Sequence, residues 1–122
     1  MINKLAKEIH ENAKSKGFYD EPKNIGEMLC LIHSEVSEAL ECDRKDKHCD
    51  YYTVSTILSY PNNEAFKKHF NESVKDTFEA ELADIIIRVM DLAEHKKIDL
   101  EIFLKAVMRN NSLREYKHGK KY

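Results

Sequence analysis

Residues 78–92 read FEAELADIIIRVMDL, and this stretch decides the fold. On a helix, where successive side chains are about 100° apart, it is apolar around most of its circumference. One narrow polar seam remains, formed by Thr77, Glu81, Asp84, Arg88 and Asp91. Charged groups flanked by apolar surface are costly to remove from water unless something pairs with them. The seam therefore predicts a partner, which is either a set of other side chains or a cation.

A second acidic pair, Glu35 and Glu38, lies in LIHSEVSEAL at residues 31–40. Its members are three residues apart, as are Glu81 and Asp84, and this spacing puts two side chains on one helix face. If the two helices pack together, four carboxylates converge and raise one another's pKa, unless a divalent cation neutralises them. Hard oxygen ligands suit Mg²⁺, with Mn²⁺ as the alternative. The apolar stripe beside Glu35 and Glu38 is expected to comprise Ile25, Met28, Leu29, Ile32, Val36, Ala39 and Leu40.

The composition favours one helix-rich soluble domain over residues 1–122. Charged residues make up 34% and hydrophobic residues 42% of the chain, with three Gly and two Pro, which is neither a β-rich nor a disordered composition. The sequence contains no window of about 18 apolar residues, so no membrane span is predicted. The N-terminus lacks the apolar core of a secretory signal, so none is expected there. Three cysteines without a disulfide framework predict a reducing, cytoplasmic location.

The charge is unevenly distributed. Residues 105–122 contain six basic residues and one acidic residue, whereas the rest of the chain has a net charge of −7. An acidic body with a basic tail at residues 112–122 suits a metal–phosphate ligand, and a solvated terminus is the plainer interpretation. A polynucleotide partner is not expected, because the body is acidic and no nucleic-acid-binding motif appears.

The element pattern predicts an all-α fold. Four main helices are expected at about residues 2–14, 24–43, 71–97 and 99–110, with Asn24, Asn71 and Asp99 as N-caps. Residues 43–70 form an insertion between the second and third helices. Its segment YYTVSTILSY (residues 51–60) has strand propensity, but no second strand exists to pair with it, so a short helix or an ordered loop is expected. Another short helix is expected at residues 64–70.

The acidic pairs also resemble a known signature. Glu35-Val-Ser-Glu38 followed by Glu81-Leu-Ala-Asp84 resembles the E-x-x-E … E-x-x-D pattern of the MazG-like, all-α nucleoside triphosphate pyrophosphohydrolases. HSEVSEALE and DTFEAELADIIIRVMDLA resemble the two metal helices of that family, and HENAKSKGF resembles the opening of one subgroup. The end of the chain resembles the family's tail at Asn111, Arg114, His118, Gly119, Lys120 and Lys121. Two features depart from the family: the spacing from Glu38 to Glu81 is longer, and Glu115 stands where proline often follows the arginine.

The resemblance implies a four-helix MazG-like bundle, usually a homodimer or homotetramer. It also implies Mg²⁺-dependent cleavage between the α- and β-phosphates of a nucleoside triphosphate, giving a nucleoside monophosphate and pyrophosphate. Glu35, Glu38, Glu81 and Asp84 would be the metal ligands. Glu35 and Glu38 are also the candidate catalytic residues, with Glu35 as the carboxylate that orients the water.

Further residues receive roles around this centre. Arg88 is expected to neutralise Asp84 or Asp91 from outside the ligand set, and Asp91 to pair with Arg88 or a neighbouring backbone group. Phe18 and Tyr19 are candidates for contact with the base, and core packing is the competing expectation. The phosphate-binding candidates are Asn111, Arg114, Lys117 and Lys120, with arginine suited to bidentate contact.

Two other functional classes stay open at this point. One is a non-catalytic helical interaction module whose acidic seam forms interhelical salt bridges. The other is a nucleotide-binding regulator that retains the metal site without turnover. The sequence names neither the preferred base nor the sugar.

Overall fold

The computed structural model describes residues 1–121, with the side chain of His118 excepted, and over this range the chain is all-α, as predicted. None of the described helices is both long and apolar enough to cross a membrane. The six α-helices are α1 Ile2–Ser15, α2 Ile25–Arg44, α3 Tyr51–Leu58, α4 Asn63–Ser73, α5 Phe78–His95 and α6 Leu100–Ser112, and a 3₁₀ turn follows at Tyr116–Gly119. The four predicted main helices correspond to α1, α2, α5 and α6.

The capping hydrogen bonds at the N-terminal ends of the helices can be compared with the predicted N-cap residues. The side chain of Asn24 accepts from the backbone N–H of Glu27, and that of Asp99 accepts from the N–H of Ile102, so both predicted caps are confirmed. The prediction for Asn71 was wrong, because this residue lies inside α4. Thr77 stands before α5 instead, where its hydroxyl accepts from the N–H of Ala80.

The insertion contains two helices, α3 and α4, which pack against each other. The side chain of Asp50 accepts from the N–H of Thr53 at the start of α3, and that of Asn62 caps α4 in the same way. Strand propensity in residues 51–60 did not decide the outcome, because β-branched residues also occupy helices that have a capped start and a partner to pack on.

The chain divides into two compact units. The first, which we call the terminal unit, comprises Met1–Glu21 and the chain from Met90 onward. Here α1 packs against α6. The N-terminal ammonium lies 3.0 Å from a carboxylate oxygen of Glu101, and the amide of Asn3 donates to Asp99 over 2.7 Å. These contacts join the start of α1 to the start of α6.

The second, which we call the central unit, comprises Pro22–Val89. Its helix α2 buries only part of the predicted stripe, namely Met28 and Ala39. Met28, Glu35, Ala39 and Cys42 are the buried residues of α2, so Glu35 lies within the buried face and not at its border. Leu29, Val36 and Leu40, which were expected in the apolar stripe, are 48%, 49% and 51% exposed. These buried residues follow one another at steps of seven, four and three residues, which is the spacing of one helix face.

Candidate metal centre

Three carboxylates from two helices meet in the central unit. α2 supplies Glu35 and Glu38, and α5 supplies Glu81. One oxygen atom from each lies within 4.8 Å of the others. Glu35 and Glu81 are buried, whereas Glu38 is exposed. The approach of the two acidic pairs expected from the sequence is thus found for three of the four residues.

Glu81 is the most deeply buried member of this carboxylate triad. Only 5% of the residue is exposed, and its Oε2 atom is buried without a hydrogen-bond partner among the described residues. Burial, the hydrogen bond shared with Glu35 and the negative charge of Glu38 raise the pKa of Glu81 to about 7. A buried oxygen that has lost water and gained no partner is costly. A cation that Glu81 bound through Oε2 would supply that partner.

Arg88 holds Glu35 in place. Its Nε donates to Glu35 Oε1 over 2.8 Å. Burial alone would raise the pKa of Glu35, but the hydrogen bonds with Arg88 and Glu81 outweigh it and lower that pKa. Arg88 was expected to neutralise Asp84 or Asp91, but its hydrogen bond goes to Glu35. Its positive charge also acts on Asp84, where it opposes the rise in the pKa of that carboxylate, in line with the expectation.

Asp84 stands apart from the triad. It is exposed, and it is not among the carboxylates whose oxygens lie within 4.8 Å of one another in the described chain. Partial desolvation and the negative charge of Glu35 nevertheless raise its pKa. Two residues three apart on a helix differ in direction by about 60°, which is enough for α5 to bury Glu81 and leave Asp84 in solvent.

Asp91 takes part in a separate polar network in the terminal unit. The hydroxyl of Tyr19 donates to Asp91 Oδ2 over 2.6 Å, and His10 Nδ1 lies 2.8 Å from Asp91 Oδ1. The ring centroids of Tyr19 and His95 are 4.8 Å apart. Burial and the bond to Asp91 raise the pKa of Tyr19. The expected pairing of Asp91 with Arg88 was therefore wrong, and its two partners come from α1 and the loop that follows.

The phosphate-binding and base-contacting candidates also lie in the terminal unit. Phe18 is 62% exposed. Lys117 Nζ lies 5.9 Å from the centre of the Tyr116 ring. The four phosphate candidates Asn111, Arg114, Lys117 and Lys120 are all exposed. The three carboxylates belong to the central unit, so the structure assigns the two predicted groups to different units.

Glu79 also joins two segments near the triad, and no sequence pattern indicated it. Its carboxylate accepts from the backbone N–H of Cys49 over 2.9 Å and lies 3.0 Å from His48 Nδ1. These bonds tie the segment after α2 to the first turn of α5. An acidic residue in the first turn of a helix is common, so its partners could not be identified from sequence.

The donor set fits a hard divalent cation. All three ligand candidates are carboxylates, the kind of oxygen donor that Mg²⁺ and Mn²⁺ prefer, and the unpartnered Oε2 of Glu81 belongs to the same group of converging carboxylates. In comparisons with family models, with curated proteins and with solved structures, the chain has no match. The three carboxylates are therefore the observation that indicates which kind of ion the site would bind.

Proposed function

We propose that this chain is a Mg²⁺-dependent nucleoside triphosphate pyrophosphohydrolase, which converts a nucleoside or deoxynucleoside triphosphate to the monophosphate and pyrophosphate. One observation carries the proposal: Glu35, Glu38 and Glu81 converge from two helices, and the buried Oε2 of Glu81 has no partner in the described chain. A structural salt-bridge seam would pair that atom. The resemblance of the two acidic helices to the MazG-like family supports the reaction type.

The residues have distinct roles in this proposal. Glu35, Glu38 and Glu81 hold the ion, and Mg²⁺, when bound, supplies charge neutralisation on the phosphate oxygens. Arg88 fixes Glu35 in one orientation through its hydrogen bond. Glu38 is exposed and receives no bond from Arg88, so it is better placed than Glu35 to take a proton from the attacking water. The water oxygen forms a bond to the α-phosphorus and gives up one proton to Glu38, and the bond from that phosphorus to the bridging oxygen breaks, so that pyrophosphate leaves with this oxygen.

A second copy of the chain is part of the proposal. α2 leaves Leu29, Val36 and Leu40 about half exposed, and α5 leaves Leu82 and Ile86 at 44% and 51% exposed. The three leucine and valine positions on α2 are separated by seven and four residues, which places them on one helix face. Exposed apolar faces of this kind mark association surfaces. We assign them to a homodimer or homotetramer that acts in the cytoplasm.

The test is a pyrophosphate-release screen over standard and modified nucleoside triphosphates, with Mg²⁺ and with EDTA. Release should require Mg²⁺ for at least one substrate. Glu38→Gln should lose at least about a hundredfold in kcat, since proton transfer by a positioned group contributes about 10²–10⁴. The matched control, Glu64→Gln, changes an exposed glutamate on α4 and should keep full activity. Full activity in Glu38→Gln would remove the proposed role of Glu38.

The two rival functions give different results in the same experiment. A helical interaction module would show neither pyrophosphate release nor stabilisation by Mg²⁺. A nucleotide-binding regulator would be stabilised by Mg²⁺ and nucleotide but would release no pyrophosphate from any member of the panel.

A further inference from the structure

A cleft of about 240 Å³ opens beside the carboxylate triad, entirely within the central unit. Glu38 and Glu81 form part of its wall, and Lys45 and Lys47 form another part. The cleft is smaller than the roughly 300–1,000 Å³ typical of sites that enclose a drug-sized ligand. It is therefore suited to a compact charged group and not to a whole nucleotide.

The backbone of Lys47 is fixed against both helices that carry the triad. Its N–H donates to the carbonyl of Cys42 in α2, and its carbonyl accepts from the N–H of Phe78, the first residue of α5, each over 2.9 Å. Asp46, just before it, has the left-handed φ of 53° that turns the chain back. Main-chain bonds thus set the position of the Lys47 backbone relative to α2 and α5.

The two lysines are available to a ligand. Lys47 forms no salt bridge with any residue of the described chain. Lys45 lies 3.2 Å from Glu41, but both side chains are more than half exposed. An exposed pair of this kind contributes little to stability, so a phosphate could displace Glu41 as the partner of Lys45 at small cost.

The charge of the cleft restricts what can enter it. Glu38, Glu41, Asp76 and Glu81 outnumber the two lysines. A free polyphosphate would be repelled, because the cleft carries more negative than positive charge and like charges repel most strongly at short range. When a polyphosphate enters together with a divalent cation, the carboxylates of the cleft contact the cation and the lysine ammonium groups contact the phosphate.

We propose that this cleft is the polyphosphate subsite of the central unit, with Lys47 as the principal phosphate-binding residue, Lys45 as its neighbour, and Mg²⁺ as an obligatory companion of the anion. The proposal rests on the proposed function for its choice of substrate class. It places phosphate contacts on Lys45 and Lys47, whereas the sequence pattern indicated the basic tail.

The experiment measures binding of inorganic tripolyphosphate to the full chain by calorimetry, with excess Mg²⁺ and with EDTA. The wild type should bind in Mg²⁺ and not in EDTA. Lys47→Met should raise the Kd in Mg²⁺ by about tenfold or more, since a hydrogen bond to a charged group contributes about 1.5–3 kcal/mol. Lys47→Arg should restore most of the affinity. Lys67→Met, an exposed lysine on α4, is the matched control and should bind as the wild type does.

The other outcomes separate this proposal from the proposed function. If Lys47→Met binds tripolyphosphate within twofold of the wild type, or if the wild type binds it equally well in EDTA, the subsite is wrong. If hydrolysis is Mg²⁺-dependent while Lys47→Met leaves KM unchanged, the subsite fails and the hydrolase stands. If no nucleotide is hydrolysed but Lys47→Met abolishes tripolyphosphate binding, the hydrolase fails and the subsite stands. Stabilisation of Lys47→Met by Mg²⁺ alone should equal that of the wild type, which shows that the ion site is intact.

Discussion

Replacement of Glu81 by glutamine tests whether the triad is strained without its cation. Glutamine keeps the shape of the side chain and removes the charge. In the folded protein Glu81 has a pKa of about 7, against an ordinary value of 4.5. Between these pH values the unfolded chain binds fewer protons than the folded chain, so this group makes the metal-free protein less stable as the pH rises.

The size of the effect follows from that difference. A displacement of about 2.5 pH units corresponds to about 3 kcal/mol at 1.36 kcal/mol per unit. This is an upper limit, because the same contact lowers the pKa of Glu35 and returns part of the energy. We therefore expect Glu81→Gln to raise the free energy of unfolding by about 1–3 kcal/mol at about pH 8 in EDTA. Below about pH 4.5 the substitution should change it little, because Glu81 is then protonated and as neutral as the glutamine that replaces it.

The assay is urea unfolding in EDTA across this pH range, repeated in excess Mg²⁺. Mg²⁺ should stabilise the wild type, by about 2.7 kcal/mol if the ion is at a hundred times its Kd, and should stabilise Glu81→Gln much less. Glu64→Gln on the surface of α4 should stay within about 0.5 kcal/mol of the wild type throughout. If Glu81→Gln were less stable than the wild type at about pH 8 in EDTA, or gained as much from Mg²⁺, the carboxylates would not form a cation site.

Two further predictions address other parts of the molecule. Tyr19→Phe removes the donor to Asp91 Oδ2 and should lower the free energy of unfolding by about 1–2 kcal/mol, whereas Tyr52→Phe, at an exposed position, should change it by less than about 0.5 kcal/mol in the same urea titration. Leu40→Lys should convert the oligomer to monomer in light scattering with little loss of helicity, and an unchanged mass would count against the α2 face as the association surface.

Local chemistry made the helices predictable. Asn24 and Asp99 each precede an apolar-periodic run and each accept the expected backbone N–H, so the starts of α2 and α6 followed from sequence. The start of α5 did not, because residues 71–77 offer several polar side chains that could act as caps. Asp76, with a left-handed φ of 60°, turns the chain, and this leaves Thr77 and not Asn71 as the cap.

The candidate site was predictable only as far as helix periodicity reaches. Spacing correctly placed Glu35, Glu38 and Glu81 on facing helix surfaces, since a three-residue step keeps side chains on one face. It could not decide how far each helix is rotated about its axis. That rotation buries Glu35 and Glu81 and exposes Asp84, and it depends on packing against the whole unit. Lys47, which we propose to bind phosphate, could not be singled out from sequence because its position depends on the turn at Asp46, which no periodic pattern describes.

The burial pattern of α5 would couple the proposed ion to the proposed second copy of the chain. Thr77 and Glu81 are buried, while Leu82 and Ile86 are 44% and 51% exposed, so the helix turns carboxylate inward and aliphatic surface outward. For a lone metal-free chain both arrangements are unfavourable, because burial of an unpaired carboxylate and exposure of apolar area each cost free energy.

Oligomerisation would cover the outer face of α5, and a cation would neutralise the inner one. If both stabilise the same orientation of α5, Mg²⁺ should strengthen self-association and self-association should strengthen Mg²⁺ binding, since coupling between two binding events is reciprocal. Analytical ultracentrifugation in Mg²⁺ and in EDTA measures this coupling, and a dissociation constant of the oligomer that is the same in both would show that the two faces of α5 act independently.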